Sequence, residues 1–226
     1  MNDALYKSAV TTLLRHVPTT FRVLNVVAES YKDEVGLNLA QELLTAYTER
    51  SGTNQGKEVM NELMLVEGAP FEERLDWLAD QLQVRTFTYQ ANNAEEAREA
   101  QERIVKDLIG ESGFIVAFPK APCPKMIRPM NLIETLKHRS WGTVAMAVKY
   151  GIPVYVYVPW IHNPTKFMGP LLKRAEVLAK ESWGGWVSLF PTKADVSEDI
   201  NVLNQGTSRV EWVPGAPSRP NVWRNN

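Results

Sequence analysis

The strongest constraint on the fold is a regular alternation between short apolar runs and longer segments with helical spacing. FRVLNVVAES (21–30) is a nearly continuous apolar run rich in β-branched residues, and the segment 35–50 that follows repeats its leucines at helical spacing. Runs of the first kind are typical of strands that are buried on both faces, as in a parallel sheet. These two segments therefore predict a βα unit.

The same alternation continues through the next hundred residues. Four further strand candidates are ELMLVEGAP (62–70), VRTFTYQ (84–90), FIVAFP (114–119) and VYVYVP (154–159). Helical segments at 71–82, 94–110 and 142–150 lie between them, and Asn92 or Asn93 is placed to cap the second of these helices. The chain is therefore predicted to be an α/β protein: a Rossmann-like open parallel sheet of about five strands, with helices on both faces.

The alternation of strand and helix segments ends beyond Pro164. Residues 171–182 are typical of one more helix, 182–191 of an added strand, and the proline-containing stretch 206–226 of an extended tail. We therefore predict a core over 1–160, which includes an N-terminal helix. A C-terminal extension over 161–226, with a helix and a tail rich in Trp and Pro, is expected to pack on this core. A chain of 226 residues is long enough for one substantial core.

Charge and cysteine content narrow the function classes. The chain has 25 Lys and Arg against 26 Asp and Glu, so nothing in its overall charge favours duplex nucleic acid or an anionic membrane. Its one cysteine, Cys123, and its three scattered histidines show no metal-ligand spacing. No secretory signal and no apolar run of ~20 residues is evident. We expect a cytoplasmic protein without a metal or another cofactor, with neither duplex nucleic acid nor a membrane as partner.

Ligands of open parallel sheets bind at the carboxyl ends of the strands, so the loops that follow the strands are the place to look. Ser140, Trp141, Gly142 and Thr143 stand where a helix is expected to begin. Gly142 would let the backbone approach an anion, and Ser140 and Thr143 would add hydroxyl groups. Alternatively, Ser140 only caps the helix, and Trp141 covers the core instead of stacking on a base.

The segment before this turn is strongly basic. Between residues 120 and 139 the single acid Glu134 is accompanied by five bases, Lys120, Lys125, Arg128, Lys137 and Arg139. Several prolines, beginning with Pro119, indicate a stiff loop. At the carboxyl edge of the sheet such a loop would attract phosphate groups. The alternative is an ordinary solvated loop.

Carboxylates follow the first two strands. Glu29 and Ser30 end the first, while Glu67, Gly68 and Ala69 end the second. Glu72 and Glu73 then begin the next helix. A glutamate here, with Glu67 and Glu73 as the leading candidates, could accept hydrogen bonds from ribose hydroxyls or lie beside an anomeric carbon. The alternative is that these side chains only interact with the helix dipole.

Three stretches together resemble a known family. ELMLVEGAPFEERLDWLADQLQVRTFTYQ, GFIVAFPKAP and SWGTVAMAVKYGIPVYVYVP are similar to the YspA-like branch of the SLOG superfamily of small Rossmann-like proteins, over residues 21 to 160. The Gly142–Thr143 turn is the best-kept motif. Ala28-Glu29-Ser30 replaces the usual Gly-Ser-Arg, Phe71 and Glu73 stand at Gly and Asp positions of the second loop, and 121–139 replaces a short glycine turn.

The resemblance implies binding of a nucleotide or a nucleotide-derived signal. The chain would be a sensor, or a sponge that sequesters a messenger as a virus could do against a host alarm pathway. Some relatives cleave N-glycosidic bonds, so a nucleoside or nucleotide N-glycosidase or deoxyribosyltransferase is the alternative. The acid that follows the Gly-Thr turn in phosphoribohydrolase relatives is missing after Thr143. A DprA-like single-stranded DNA mediator is a third hypothesis, which the near-neutral charge disfavours. By analogy we expect a homo-oligomer.

Overall fold

The five predicted strands form the parallel part of one sheet. The computed structural model describes residues 3–18, 21–29, 34–52, 62–67, 70–109, 111–124, 127, 138–158, 176–181 and 184–189. The parallel strands are β1 (Val23–Ala28), β2 (Glu62–Val66), β3 (Arg85–Tyr89), β4 (Gly113–Phe118) and β5 (Val154–Val158). They lie in the order β3-β2-β1-β4-β5. The predicted Rossmann-like α/β sheet is confirmed.

Five described helices cover the sheet on both faces. They are α1 (Asp3–His16), α2 (Glu34–Gly52), α3 (Pro70–Gln81), α4 (Ala94–Leu108) and α5 (Arg139–Lys149). Apolar residues of α1, α2 and α3 form one buried cluster with one face of the strands. Those of α4 and α5 form a second cluster with the other face. Because β1, β4 and β5 are buried along their whole length, their side chains fill both clusters.

Local sequence explains where several helices begin and end. At the start of α4, the Asn93 side chain accepts hydrogen bonds from the backbone N–H groups of Glu95 and Glu96, as an N-cap residue does. At the end of α5, Gly151 has a φ of 75° and the next N–H, of Ile152, donates to the Ala147 carbonyl at 2.8 Å. This left-handed turn stops the helix just before β5.

The sheet continues beyond residue 160 with two further strands. The helix expected over 171–182 is wrong where the structure describes it, because Glu176–Glu181 is a strand, β6. The added strand expected over 182–191 is present as β7 (Gly184–Leu189). β7 pairs antiparallel with β5, and β6 pairs antiparallel with β7, so the seven-stranded order is β3-β2-β1-β4-β5-β7-β6. Pairing with β7 overrides the helical propensity of this leucine-, alanine- and lysine-containing segment.

Trp186 of β7 ties this addition to the N-terminal helix. Its side chain is buried, its indole N–H donates to the Ala9 carbonyl at 3.0 Å, and its ring contacts those of Phe118 and Tyr157. The expected tail over 206–226 lies outside the described residues. In the described part of the chain, no helix has the length and apolar character needed to cross a bilayer. Nor do the described side chains include a cluster of three or more His, Cys, Asp or Glu suited to a metal ion.

Candidate functional site

A cavity of about 460 Å³ opens at the carboxyl edge of the parallel strands. Its lining comes from the end of β2, from the turn between β3 and α4, and from the N-terminal parts of α4 and α5. Cavities of this size accept small organic ligands, and in open α/β sheets such ligands bind at this edge. The cavity is therefore the candidate functional site.

The cavity wall combines apolar and polar side chains. Val66 of β2, Ala97 of α4 and Met146 of α5 supply apolar surface. Polar side chains come from eight further residues: Glu67, Asn92, Asn93, Arg98, Gln101, His138, Arg139 and Thr143. Two arginines against one glutamate give the lining a formal positive charge when His138 is neutral. An anionic ligand with an apolar part fits this distribution.

Gln101 of α4 belongs to a chain of buried amides. The Asn25 side chain in β1 donates through Nδ2 to the Met64 carbonyl at 2.8 Å. Its Oδ1 then accepts from Gln101 Nε2 at 2.9 Å. Both side chains are buried, with Asn25 1% and Gln101 6% exposed. Because the Met64 carbonyl can only accept, it fixes the orientation of both amides.

The turn that precedes α4 is held by Glu96. Its carboxylate accepts from the Asn92 backbone N–H at 2.8 Å, from Asn92 Nδ2 at 2.9 Å and from Asn93 Nδ2 at 2.7 Å. These hydrogen bonds, led by those from Asn92, lower the pKa of Glu96. Together with the Asn93 cap they form a reciprocal network resembling a capping box. This network fixes the backbone that forms the adjacent wall of the cavity.

The Arg139 side chain forms an ion pair with a buried carboxylate that does not itself line the cavity. Its Nη2 donates to Oε1 of Glu72, a residue of the first turn of α3 that is only 3% exposed. Burial raises the pKa of Glu72, while the charge and hydrogen bond of Arg139 act in the opposite direction. Glu72 Oε2 has no hydrogen-bond partner in the described part of the chain. Because Glu72 belongs to α3 and Arg139 to α5, the pair connects two helices that cover opposite faces of the sheet.

The N-terminus of α5 already holds a carboxylate. Glu29, at the end of β1, accepts from the Ser140 backbone N–H at 2.9 Å and from the Ser140 hydroxyl through the same oxygen, Oε2. A negative charge at this end of a helix is stabilised by the free N–H groups and by the helix dipole. The protein's own glutamate thus occupies the place at Ser140 where a phosphate was expected.

This arrangement also corrects the predicted start of the helix. The helix expected over 142–150 begins at Arg139, so Ser140 lies inside its first turn and is not the N-cap residue. The Gly142 N–H consequently donates to the His138 carbonyl at 2.7 Å, and the Thr143 hydroxyl donates to the Arg139 carbonyl at 2.8 Å. Gly142 and Thr143 still line the cavity. Gly142 contributes space there, since its N–H is already used.

Trp141 covers the core, which was the alternative to stacking on a base. It is 2% exposed, it belongs to the cluster beneath α4 and α5, and its indole N–H donates to the Ala121 carbonyl at 2.7 Å. It does not line the cavity. Its role among the described residues is to fix the start of α5 to the segment that follows β4.

The predicted site residues fall into three groups. Four of them line the cavity: Glu67, Arg139, Gly142 and Thr143. Others are described but lie outside its lining: Glu29, Glu73, Pro119, Lys120, Ser140 and Trp141. Of these, Glu73 and Lys120 are exposed and Pro119 is buried. Ser30, Gly68, Ala69, Lys125 and Arg128 lie outside the described residues.

Sequence reasoning missed the contribution of the β3–α4 region. Asn92, Asn93, Arg98 and Gln101 line the cavity, but the sequence pattern predicted only a helix here, with Asn92 or Asn93 as its cap. A signal was present, since β3 is parallel to β2 and the loop after it must reach the same edge of the sheet. The buried pairing of Gln101 with Asn25 had no such signal, because the two residues are 76 positions apart.

The comparisons with known proteins add no relative. No family model, no curated protein and no solved structure matches this chain.

Proposed function

We propose that the protein binds a nucleotide or a nucleotide-derived ligand in the cavity between β2, α4 and α5. The observation that carries the proposal is the position of Glu67. It directly follows β2 and lines the cavity at the carboxyl edge of the sheet. In dinucleotide-binding sheets of this strand order, an acidic residue here accepts hydrogen bonds from ribose hydroxyls. Glu67 is the proposed ribose partner.

Two arginines are the proposed phosphate partners. Arg98 is exposed at the mouth of the cavity, and Arg139 is held by Glu72 through Nη2. The other donors of Arg139 make no hydrogen bond to the described part of the chain, so they remain for a ligand. Guanidinium groups bind phosphate oxygens through paired, charge-assisted hydrogen bonds. This proposal replaces the helix N-terminus at Ser140 with arginine side chains as the anion site.

Titration calorimetry with AMP tests the proposal. We expect AMP to bind, and we expect Arg98→Gln to weaken binding about 10-fold through loss of a charge-assisted hydrogen bond. Arg103→Gln is the matched control, since Arg103 lies on the same helix, is 71% exposed and does not line the cavity. A thermal-shift measurement with AMP, GMP, CMP and UMP accompanies the titration, and the proposal fails if all four leave the protein's melting temperature unchanged. It also fails if Arg98→Gln and Arg103→Gln weaken AMP binding equally.

A second candidate function is cleavage of the N-glycosidic bond, because Glu67 places a carboxylate in the cavity wall. A carboxylate beside the anomeric carbon can stabilise an oxocarbenium-like transition state. Chromatography of nucleotides incubated with the protein separates the two candidates. Recovery of intact nucleotide supports binding alone, whereas free base and ribose phosphate, lost in Glu67→Gln, support the enzyme.

A further inference from the structure

The geometry points to Gln101 as the residue that selects the base of the ligand. We infer that the site prefers a base with an exocyclic amino group beside a ring nitrogen acceptor, as in adenine and cytosine. This inference rests on the proposed nucleotide-binding function and specifies its ligand. It depends on the amide chain from Met64 through Asn25 to Gln101.

The first step is the fixed direction of the Gln101 amide. Asn25 Nδ2 donates to the Met64 carbonyl, so Asn25 Oδ1 faces Gln101 and requires a donor there. Gln101 must therefore turn its Nε2 towards Asn25. Reversal of the Gln101 amide would place two carbonyl oxygens against each other in a buried position, which is unfavourable.

The second step is what this orientation leaves for a ligand. Gln101 lines the cavity, and its Oε1 makes no hydrogen bond to the described residues. The buried side chain thus offers an acceptor oxygen, with the second N–H of its amide beside it. Glutamine amides in this orientation match the amino group and the neighbouring ring nitrogen of adenine. On their Watson–Crick edges, hypoxanthine and uracil present the opposite arrangement, an acceptor oxygen beside an N–H donor. On its N7 edge hypoxanthine presents two acceptors, so neither of its edges matches this amide.

The third step is the shape of the cavity around Gln101. Ala97 lies one turn before Gln101 on α4, and Gly142 and Met146 face the cavity from α5. Ala97 has only a methyl side chain and Gly142 has none, so both leave room between the two helices, and Met146 adds an apolar surface. A flat aromatic ring fits between such walls. Gln101, at the buried end, would then contact the edge of the ring.

Two matched pairs of nucleotides test the inference on the wild-type protein. AMP and IMP differ only at the base edge in question, and so do CMP and UMP. We expect the amino-bearing member to bind about 10-fold more tightly in at least one pair. If the oxo member binds as tightly or more tightly in both pairs, the inference is overturned while nucleotide binding stands. If none of the four nucleotides binds, both proposals fall.

Two variants assign the preference to the amide chain. Gln101→Met keeps the length of the side chain but removes its polar atoms, so the preference for the amino-bearing base should disappear. Asn25→Ala frees Gln101 to reverse its amide. The affinity for IMP should then rise relative to that for AMP, or the affinity for UMP relative to that for CMP. Asn25 is here a positioning residue, and the ratio of affinities reports its effect separately from any general loss of stability. Retention of the wild-type ratio in both variants contradicts the assignment to Gln101.

Discussion

Removal of Arg139 tests the connection between the two helical layers. In Arg139→Met, the Glu72 carboxyl stays 3% exposed but loses its partner. Removal of one member of a fully buried pair costs about 3–5 kcal/mol. Because the Arg139 side chain is 32% exposed, water weakens this particular pair. We therefore expect a loss of about 2–3 kcal/mol in the free energy of unfolding near pH 7.

The loss in the free energy of unfolding caused by Arg139→Met should depend on pH in a defined direction. Burial raises the pKa of Glu72 above its ordinary value, and Arg139 counteracts this shift. Without Arg139 the pKa rises further, so the folded variant retains the Glu72 proton to higher pH than the unfolded chain does. The penalty on the variant then begins above the ordinary pKa of an unfolded glutamate, grows with pH, and is complete once the buried Glu72 ionises at its raised pKa. As pH falls towards 4.5, the difference from wild type should shrink.

Urea denaturation at pH 5 and pH 8 measures both effects. The same substitution at Arg103, which is 71% exposed, serves as control and should change stability by less than about 0.5 kcal/mol. The double variant Glu72→Met/Arg139→Met should be more stable than Arg139→Met, because it leaves no buried carboxyl unpaired. The reasoning is refuted if Arg139→Met costs no more than the control, or if its cost does not decrease at pH 5.

Two further predictions concern local structure. Asn93→Ala should destabilise the protein by about 1 kcal/mol in urea, because α4 loses the cap of two N–H groups, and a change below the error of the measurement would contradict that role. Cys123 should resist a thiol reagent at pH 8 until the protein unfolds, since the residue is 7% exposed and burial raises its pKa to about 12; rapid labelling of the folded protein would contradict this.

Three of the five parallel strands, β1, β4 and β5, were predictable because they are buried on both faces. Burial of this kind requires nearly continuous apolar runs, and Gly113–Phe118, which is buried throughout, supplies one. β3 is partly exposed and was predictable from its β-branched and aromatic residues instead. The helices between the runs then restrict the topology to a few right-handed arrangements. Local composition was insufficient for Glu176–Glu181, whose strand conformation depends on its antiparallel partner.

Only part of the site could be found from the sequence, because its decisive contacts are long-range. The start of α5 depends on a carboxylate 111 residues earlier, Glu29, which takes the place predicted for a ligand anion. Similarly, Arg139 was predicted to bind phosphate, and Glu72 was predicted either to act as a functional carboxylate or to interact with the helix dipole. Nothing in the sequence indicated that these two residues, 67 positions apart, form a pair. Strand-end reasoning placed Glu67 at the carboxyl edge of the sheet, where it lines the cavity, since that inference required only the order of elements.

The hydrogen bond between Trp186 and Ala9 spans 177 positions of the chain. On the ribosome, the helix that contains Ala9 must therefore emerge long before the strand that completes its surroundings has been translated. Part of its apolar surface stays exposed to chaperones and proteases throughout that interval. The buried cluster of α1, α2 and α3 on the sheet is consequently completed late in biosynthesis, when residues 184–189 have left the exit tunnel.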